Sequence, residues 1–249
     1  MNKPRLPRPD SRLDIARREF LLRALSVGAF AGGMGWNLDA LAALFGKVPG
    51  KLPEGKSIFD LRGDVTVNGK PATYDTVIRG TDSVKVGSDS HLVAAVGTNA
   101  FILRERSVLD LNGRDLVVNS MRLITGKLLS VFGKRNGSPL AIHTPTATIG
   151  IRGTGLYAES DPEKTYLCTC YGTVSMKSTA NPKEDETVTT THHNAPRWIL
   201  KDPDAGKRII PAGFRDHTDL ELMTVEALVG RTVPFGMQDG AYDSPRREY

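Results

Sequence analysis

The residues best suited to metal binding or redox chemistry in this 249-residue chain are its two cysteines, Cys168 and Cys170. They flank Thr169 in a run typical of a β-strand, and residues two apart in a strand face the same side. Both sulfur atoms can therefore reach one point and share a soft metal ion. The alternatives are two small apolar core residues or a disulfide. An internal disulfide would be strained, because Cα atoms two apart in a strand lie about 6.5–6.8 Å from each other.

Three of the five histidines, His192, His193 and His217, lie in the last sixty residues of the chain. His192 and His193 adjoin in a segment predicted to be extended, so their side chains should point to opposite faces and at most one should face the cysteines. His217 precedes a predicted helix, whose dipole favours the neutral, metal-binding imidazole. Asp219 and Glu221 are expected to orient His217.

We predict that these cysteines and histidines share one transition-metal ion, with zinc, copper and mononuclear iron as candidates. The histidines follow the cysteines by more than twenty residues, so the spacing matches no compact zinc-finger pattern. Two other histidines fall inside predicted strands and are expected to be structural: His91 and His143. The predicted ligand set is Cys168, Cys170, His217 and one of His192 and His193.

The elements that must position these residues are mainly β-strands. Between residues 60 and 176, about a dozen short runs with period-two patterning are separated by Gly, Asn, Asp or Pro. This pattern is typical of antiparallel strands in a roll, a barrel or a solenoid-like stack. Asn68 and Gly69 predict a two-residue hairpin turn. One helix is predicted to begin at Thr218, which forms a capping box with Glu221, and to end at Gly230.

The N-terminal residues predict export. Arg17 and Arg18, followed by Phe20 and Leu21, precede a weakly apolar stretch rich in Gly and Ala, which is typical of a twin-arginine signal. A small-residue pattern ending at Ala42 is a candidate cleavage position, and the alternatives are a leader that is cut there and one that is retained as an anchor. We therefore expect a periplasmic protein in an oxidising compartment, with no transmembrane segment in the mature chain. Because this route carries folded proteins, it is compatible with a metal bound before export.

Composition excludes several classes of function. The formal net charge is +5, but residues 1–42 hold seven basic residues against four acidic ones, so the remainder is nearly balanced. This balance gives little reason to expect a nucleic acid as partner. The sequence contains no phosphate-binding loop, nucleophile elbow or zinc-protease motif, so we do not predict an enzyme. If the chain has an activity, thiol redox chemistry at the cysteines is its expected form.

A particular stretch of the β region contains Arg152, Gly153 and Thr154. Ile149 and Ile151 alternate with other residues and indicate a strand that is buried on one face, while the glycines permit a bulge. The guanidinium group of Arg152 is expected to tie carbonyl groups or a carboxylate together, with anion binding as the alternative.

Several segments of the β region resemble, in order, the FecR-type periplasmic domain, a family named for the regulator of iron dicitrate transport. The matching segments are residues 63–69, 78–87, 90–101, 123–128, 143–156 and 171–174. The resemblance implies a β domain that binds or senses outside the cytoplasm, with an envelope protein or a small ligand as partner and no defined catalytic residue. The family's best-known members carry an anti-sigma segment and a membrane helix where this chain has its export leader.

The predicted organisation has four parts. They are an export signal at 1–42, a linker at 43–58, a FecR-like β domain at 59–178, and a His-bearing C-terminal module at 179–249 with one helix and a frayed tail. The predicted function is a periplasmic binding, sensing or scaffold protein that holds a metal. The alternatives are a metal-binding accessory or thiol redox protein, and a structural module of the cell envelope.

Overall fold

The computed structural model describes residues 50–134 and 139–235. The predicted export signal at Arg17, Arg18, Phe20 and Leu21 lies outside the described residues, as does the predicted tail at 239–249. The first strand begins at Ile58, where the predicted linker ends.

Within these ranges the fold is mainly β with one small helix, which confirms the predicted fold class. The elements are β1 (Ile58–Arg62), β2 (Val65–Val67), β3 (Lys70–Pro71), β4 (Ser83–Val86), β5 (His91–Val96), β6 (Asn99–Leu103), β7 (Val108–Arg114), β8 (Val117–Val131), β9 (Leu140–His143), β10 (Ala147–Ser160), β11 (Lys164–Ser178), β12 (Asp185–Thr190), β13 (Asn194–Asp204), β14 (Lys207–Pro211) and α1 (Asp219–Leu228).

The strands form one 14-stranded sheet, whose longest path runs β14-β13-β11-β10-β9-β8-β7-β4-β2-β3. Outside this path, β12 pairs with β11. Strand β6 pairs with β8, β5 pairs with β6, and β1 pairs with β5. The pairings are antiparallel except for the parallel pair β8–β9. The sheet is open. The barrel, which was one of the three predicted arrangements, is therefore not formed by the described strands.

Three strands are much longer than the sequence pattern predicts, because glycines bend them without ending them. Strands β8, β10 and β11 contain 15, 14 and 15 residues. Gly126, Gly153 and Gly172 adopt positive φ angles of 94°, 57° and 88°. Glycine reaches this region at little steric cost, so the breaks predicted at these positions are bends or bulges within continuous strands.

Both faces of the sheet carry buried apolar residues. In β5, Leu92 and Ala94 belong to one apolar cluster, whereas Val93 and Ala95 belong to a second cluster on the other face. The second cluster includes both cysteines. Helix α1 covers this cluster with three residues: Leu222, Val225 and Leu228.

Helix α1 begins and ends as its capping residues predict. Thr218 accepts a hydrogen bond from the backbone N–H of Glu221, and the Glu221 carboxylate accepts one from the backbone N–H of Thr218 at 3.0 Å. Gly230 follows the helix with a φ angle of 70°. Arg104, which follows β6, forms an ion pair with Glu221 in the first turn of α1, with a nitrogen–oxygen distance of 3.1 Å. In the described ranges, no helix combines the length and apolar character needed to cross a membrane.

The sheet continues across residue 178, where the sequence predicted a boundary. Strands β12 and β13 both pair with β11, and β14 pairs with β13. The described part of the predicted C-terminal module therefore contributes three strands to the common sheet before it forms the helix. The predicted hairpin is also present, since Asn68 and Gly69 have φ angles of 52° and 76° between β2 and β3.

Candidate metal site

Strand β11 places Cys168 and Cys170 in the apolar cluster beneath α1, on one face of the sheet as their spacing predicts. Both residues have 0% exposure, and both are free cysteines. Two thiols are thus held side by side in a region from which water is excluded.

A break in the ladder along β11 brings His193 to the cysteines. The pairing of β12 with β11 ends at Thr190, and the pairing of β13 with β11 begins at Asn194. The connection between β12 and β13 therefore runs beside β11 at Cys170. The carbonyl oxygen of Cys170 accepts a hydrogen bond from the backbone N–H of His193 at 2.8 Å. In this position Nδ1 of His193 lies 3.8 Å from Sγ of Cys168.

His217 reaches the same point from the segment before α1. It has 0% exposure, and its imidazole stacks on the ring of Tyr157 with centroids 4.6 Å apart and planes at 16°. Nδ1 of His217 lies 2.7 Å from the carbonyl oxygen of Arg215. The prediction that Asp219 and Glu221 orient His217 is therefore wrong, because a backbone carbonyl does so.

Asp219, the first residue of α1, instead contacts the two adjacent histidines. Its Oδ1 lies 2.7 Å from Nε2 of His193, and its Oδ2 lies 2.9 Å from Nε2 of His192. The φ angle of 33° at His193 belongs to a bend, so the rings do not point to opposite faces as an extended segment predicts. His193 contacts the cysteines, whereas His192 lies on the outer side of Asp219.

When both rings are neutral, the outward hydrogen bonds leave two nitrogen lone pairs facing each other. Neutral His193 donates through Nε2 to Asp219 and accepts through Nδ1, and neutral His217 donates through Nδ1 to Arg215 and accepts through Nε2. These two acceptor atoms lie 3.0 Å apart. Their repulsion is relieved by a proton or a cation between them, and a neutral imidazole nitrogen is a common metal ligand.

The four candidate ligand atoms fit the size of one coordination sphere. Those of Cys168, Cys170, His193 and His217 all lie within 4.8 Å of one another. Tetrahedral zinc with bonds near 2.0–2.3 Å holds its ligand atoms about 3.3–3.8 Å apart. The nitrogen–nitrogen distance of 3.0 Å and the sulfur–nitrogen distance of 3.8 Å lie close to that range. The other pairs lie within 4.8 Å, so ligand atoms have to approach by up to about 1 Å to surround one ion.

Hydrogen bonds and burial shift the pKa values in this cluster. The hydrogen bond from Cys170, followed by those from His193 and His217, lowers the pKa of the Cys168 thiol well below its usual value, although burial opposes this. Burial raises the pKa of the Cys170 thiol. Burial also disfavours charged His193, but hydrogen bonds with Asp219 and Cys168 raise its pKa to about 9. A divalent cation would compensate the charge of two thiolates and so let both cysteines ionise.

A second group of ligand atoms shares His193 with the first. Those of His192, His193 and Asp219 also lie within 4.8 Å of one another. The His192 side chain is 32% exposed, compared with 11% for Asp219 and 6% for His193. This outer group therefore lies on the solvent side of the buried site.

The remaining predicted residues lie outside this cluster. His91 contacts Asp60, with Nε2 2.6 Å from Oδ2, and the exposed His143 contacts Thr148, with Nδ1 3.3 Å from Oγ1. These contacts are of the local, structural kind that was expected for both histidines.

Arg152 does not perform the fastening that the sequence predicts. Its side chain is exposed, and its guanidinium group has no hydrogen-bond or ion-pair partner among the described residues. Thr154 fastens the strands instead, because its hydroxyl donates to the carbonyl oxygen of Thr173 at 3.1 Å. The neighbouring Gly153 provides the bulge that the glycine pattern permits.

Sequence reasoning missed two residues that shape the site. Tyr157 lies opposite Cys168 in the β10–β11 pairing, and only the strand register shows this. Arg215 acts through its backbone carbonyl group, which any residue type supplies. Neither contribution leaves a signal in the residue types.

Comparison with known proteins adds little to this geometry. The chain matches no family model and no curated protein. It is similar to two crystal structures, at 1.65 and 2.50 Å resolution, of a "putative anti-sigma factor" from Parabacteroides distasonis ATCC 8503, each with 12% sequence identity and a TM-score of 0.43. Each alignment covers 53% of this chain and 59% of the matched chain, so this chain spans about three fifths of that length.

Proposed function

We propose that this chain is an exported, FecR-like binding or sensing protein whose sheet and C-terminal helix are joined by one bound metal ion. The observation that carries the proposal is the approach of four ligand atoms, from Cys168, Cys170, His193 and His217, to within 4.8 Å of one another. These residues belong to β11, to the β12–β13 connection and to the segment before α1. An ion at this point links three segments that are distant in sequence.

Zinc suits this set of ligands best. Two thiolates and two imidazoles form a common tetrahedral zinc sphere, whereas copper and iron often prefer other geometries. The protein supplies all four ligands, and both cysteines and His217 are fully buried. A closed sphere leaves no position for a substrate, which favours a structural role for the ion over a catalytic one.

The other parts of the proposal rest on sequence. The twin-arginine pattern supports export to the periplasm, and the resemblance to the FecR-type domain supports binding or sensing of an envelope protein or a small ligand. The metal site adds a cross-link that exists only in the folded chain. Metal binding therefore favours the folded form and the docked helix.

Metal analysis of the purified protein tests the site directly. The full chain is isolated under anaerobic, reducing conditions, and its metal content is measured by inductively coupled plasma mass spectrometry before and after addition of zinc. We expect one tightly held ion per chain. The Cys168→Ser/Cys170→Ser double variant should lose it, whereas His143→Ala should keep it, because His143 is exposed and lies outside the site. A wild-type chain that takes up no zinc contradicts the proposal.

Substitution with cobalt(II) tests the identity of the ligands. Tetrahedral cobalt with thiolate ligands gives intense visible bands and a charge-transfer band in the near ultraviolet. The charge-transfer band should weaken in Cys170→Ser and stay unchanged in His143→Ala. A weak spectrum typical of octahedral cobalt contradicts the four-ligand site.

A thiol redox protein is the second candidate, and the lowered pKa of Cys168 favours it because the thiolate is the reactive form of cysteine. Both cysteines have 0% exposure, which restricts access to the thiols. The two candidates differ in their reaction with iodoacetamide. Zinc should protect both thiols if they are metal ligands, whereas a redox thiol should react equally fast with and without zinc.

A further inference from the structure

The side chains around the proposed metal site become steadily more buried from His192 inward. The His192 side chain is 32% exposed, Asp219 is 11% exposed and His193 is 6% exposed, while Cys168 and His217 are fully buried. An ion that is surrounded by protein ligands needs a route from solvent. The graded series ends at the solvent with two groups that bind divalent cations, an imidazole and a carboxylate.

We propose that His192 and Asp219 form a loading port, which binds a divalent cation first and passes it to the buried cysteines. This inference rests on the proposed function, because the port serves the buried site. It assigns His192 a role in the rates of metal uptake and release, with no place in the final coordination sphere.

The geometry of the outer pair suits a first binding step. Nε2 of His192 lies 3.0 and 2.9 Å from the two carboxylate oxygens of Asp219. An incoming ion replaces the proton on Nε2 of His192: this proton leaves to solvent, and Nδ1 takes up a proton from solvent, so that the ring remains a neutral imidazole ligand. His193 keeps its separate hydrogen bond to Oδ1 of Asp219 at 2.7 Å during this step.

His193 connects the port to the interior. Its ring centroid lies 4.8 Å from that of His192 and 4.8 Å from that of His217. Its two nitrogens serve opposite sides, because Nε2 contacts Asp219 while Nδ1 faces Cys168 and His217. An ion held at the port is therefore one imidazole ring away from the buried ligands.

Transient binding suits the outer group better than a permanent second ion. If both groups were filled with His193 as a shared ligand, the ring would have to lose both protons and bridge two cations. Two cations one imidazole ring apart would repel each other in a poorly solvated region. A single ion that passes from the outer group to the inner group avoids this cost.

The test compares rates and affinity for zinc in the full-length chain. Zinc uptake by metal-free protein is followed by stopped-flow absorbance against a chromophoric chelator, and release is followed in excess chelator. In His192→Ala, both rates should fall by about tenfold, which corresponds to about 1.4 kcal/mol in the barrier. The dissociation constant should stay unchanged, because His192 is not among the final ligands. His143→Ala serves as the matched control and should keep both rates.

A second variant separates the lost ligand from the lost hydrogen bond. His192→Gln can still donate to Asp219 but binds zinc poorly, so it should slow both rates as His192→Ala does. Unchanged rates in both variants overturn the port. Weaker affinity by about 10–100-fold with unchanged uptake would mean that His192 supports the final ligands through Asp219, which also overturns it. If wild-type protein binds no zinc at all, the proposed function itself fails, and this outcome is distinct from the other two.

Discussion

Removal of the metal should lower the melting temperature of the wild-type protein and leave that of Cys170→Ser unaffected by zinc. A ligand that binds only the folded state adds about 2.7 kcal/mol to the free energy of unfolding when its free concentration is 100 times its dissociation constant. For a domain of roughly 150–250 residues, each 1 kcal/mol moves the melting temperature by about 2–4 °C. We therefore expect zinc-saturated protein to melt about 5–11 °C above the metal-free protein.

The Cys170→Ser substitution removes one soft ligand from a fully buried position. The new hydroxyl group also lies in an apolar cluster, so the variant should be less stable than the wild type even without metal. The informative quantity is therefore the shift caused by zinc within each protein, not the difference between the two proteins. His143→Ala should show the full wild-type shift.

Circular dichroism at a β-sheet wavelength follows the melting of each protein in buffered free zinc and in chelator. A phosphine reductant keeps the cysteines reduced without competing for the metal. An equal zinc-dependent shift in Cys170→Ser and in the wild type would refute the reasoning, because the stabilising ion would then be bound elsewhere. The lack of any shift in the wild type would refute it as well.

Two further predictions follow from single contacts, and a third follows from the sequence pattern of the export signal. Asp219→Asn should weaken zinc affinity by about 10–100-fold in a chelator competition, because the charged acceptor that orients His193 is lost; unchanged affinity would contradict this role. Tyr171→Phe should lower the free energy of unfolding in urea by about 1–3 kcal/mol, since the buried Glu226 loses the hydroxyl that donates to it; no loss would contradict it. Replacement of the arginine pair by lysines should keep the protein in the cytoplasm in a fractionation assay, while normal periplasmic recovery would remove the twin-arginine assignment.

Local rules were sufficient for the features that depend on neighbouring residues. The side on which Cys168 and Cys170 lie follows from the period of a strand, and the hairpin at Asn68 follows from its turn preference. The start of α1 directly after Thr218 follows in the same way from its capping box. Each of these features is decided within a few residues of the chain.

Features that depend on register could not be predicted. The position of His193 follows from where the β12 ladder ends and the β13 ladder begins along β11, which no local pattern specifies. The bend at His193, with its φ angle of 33°, brings both histidine rings to Asp219. The long strands were missed because Gly126 and Gly172 have the residue type of a turn but occupy bends inside strands.

The two ends of the sheet's longest path are built alike. Strand β3 consists of Lys70 and Pro71, and β14 begins at Lys207 and ends at Pro211. Proline has no N–H group to offer an added strand, and charged lysines disfavour the approach of a second sheet. With only two and five residues, these outer strands also present few backbone groups. An open sheet has no closure to hide its edges, so these residues should disfavour the joining of two copies of the protein at these two edges.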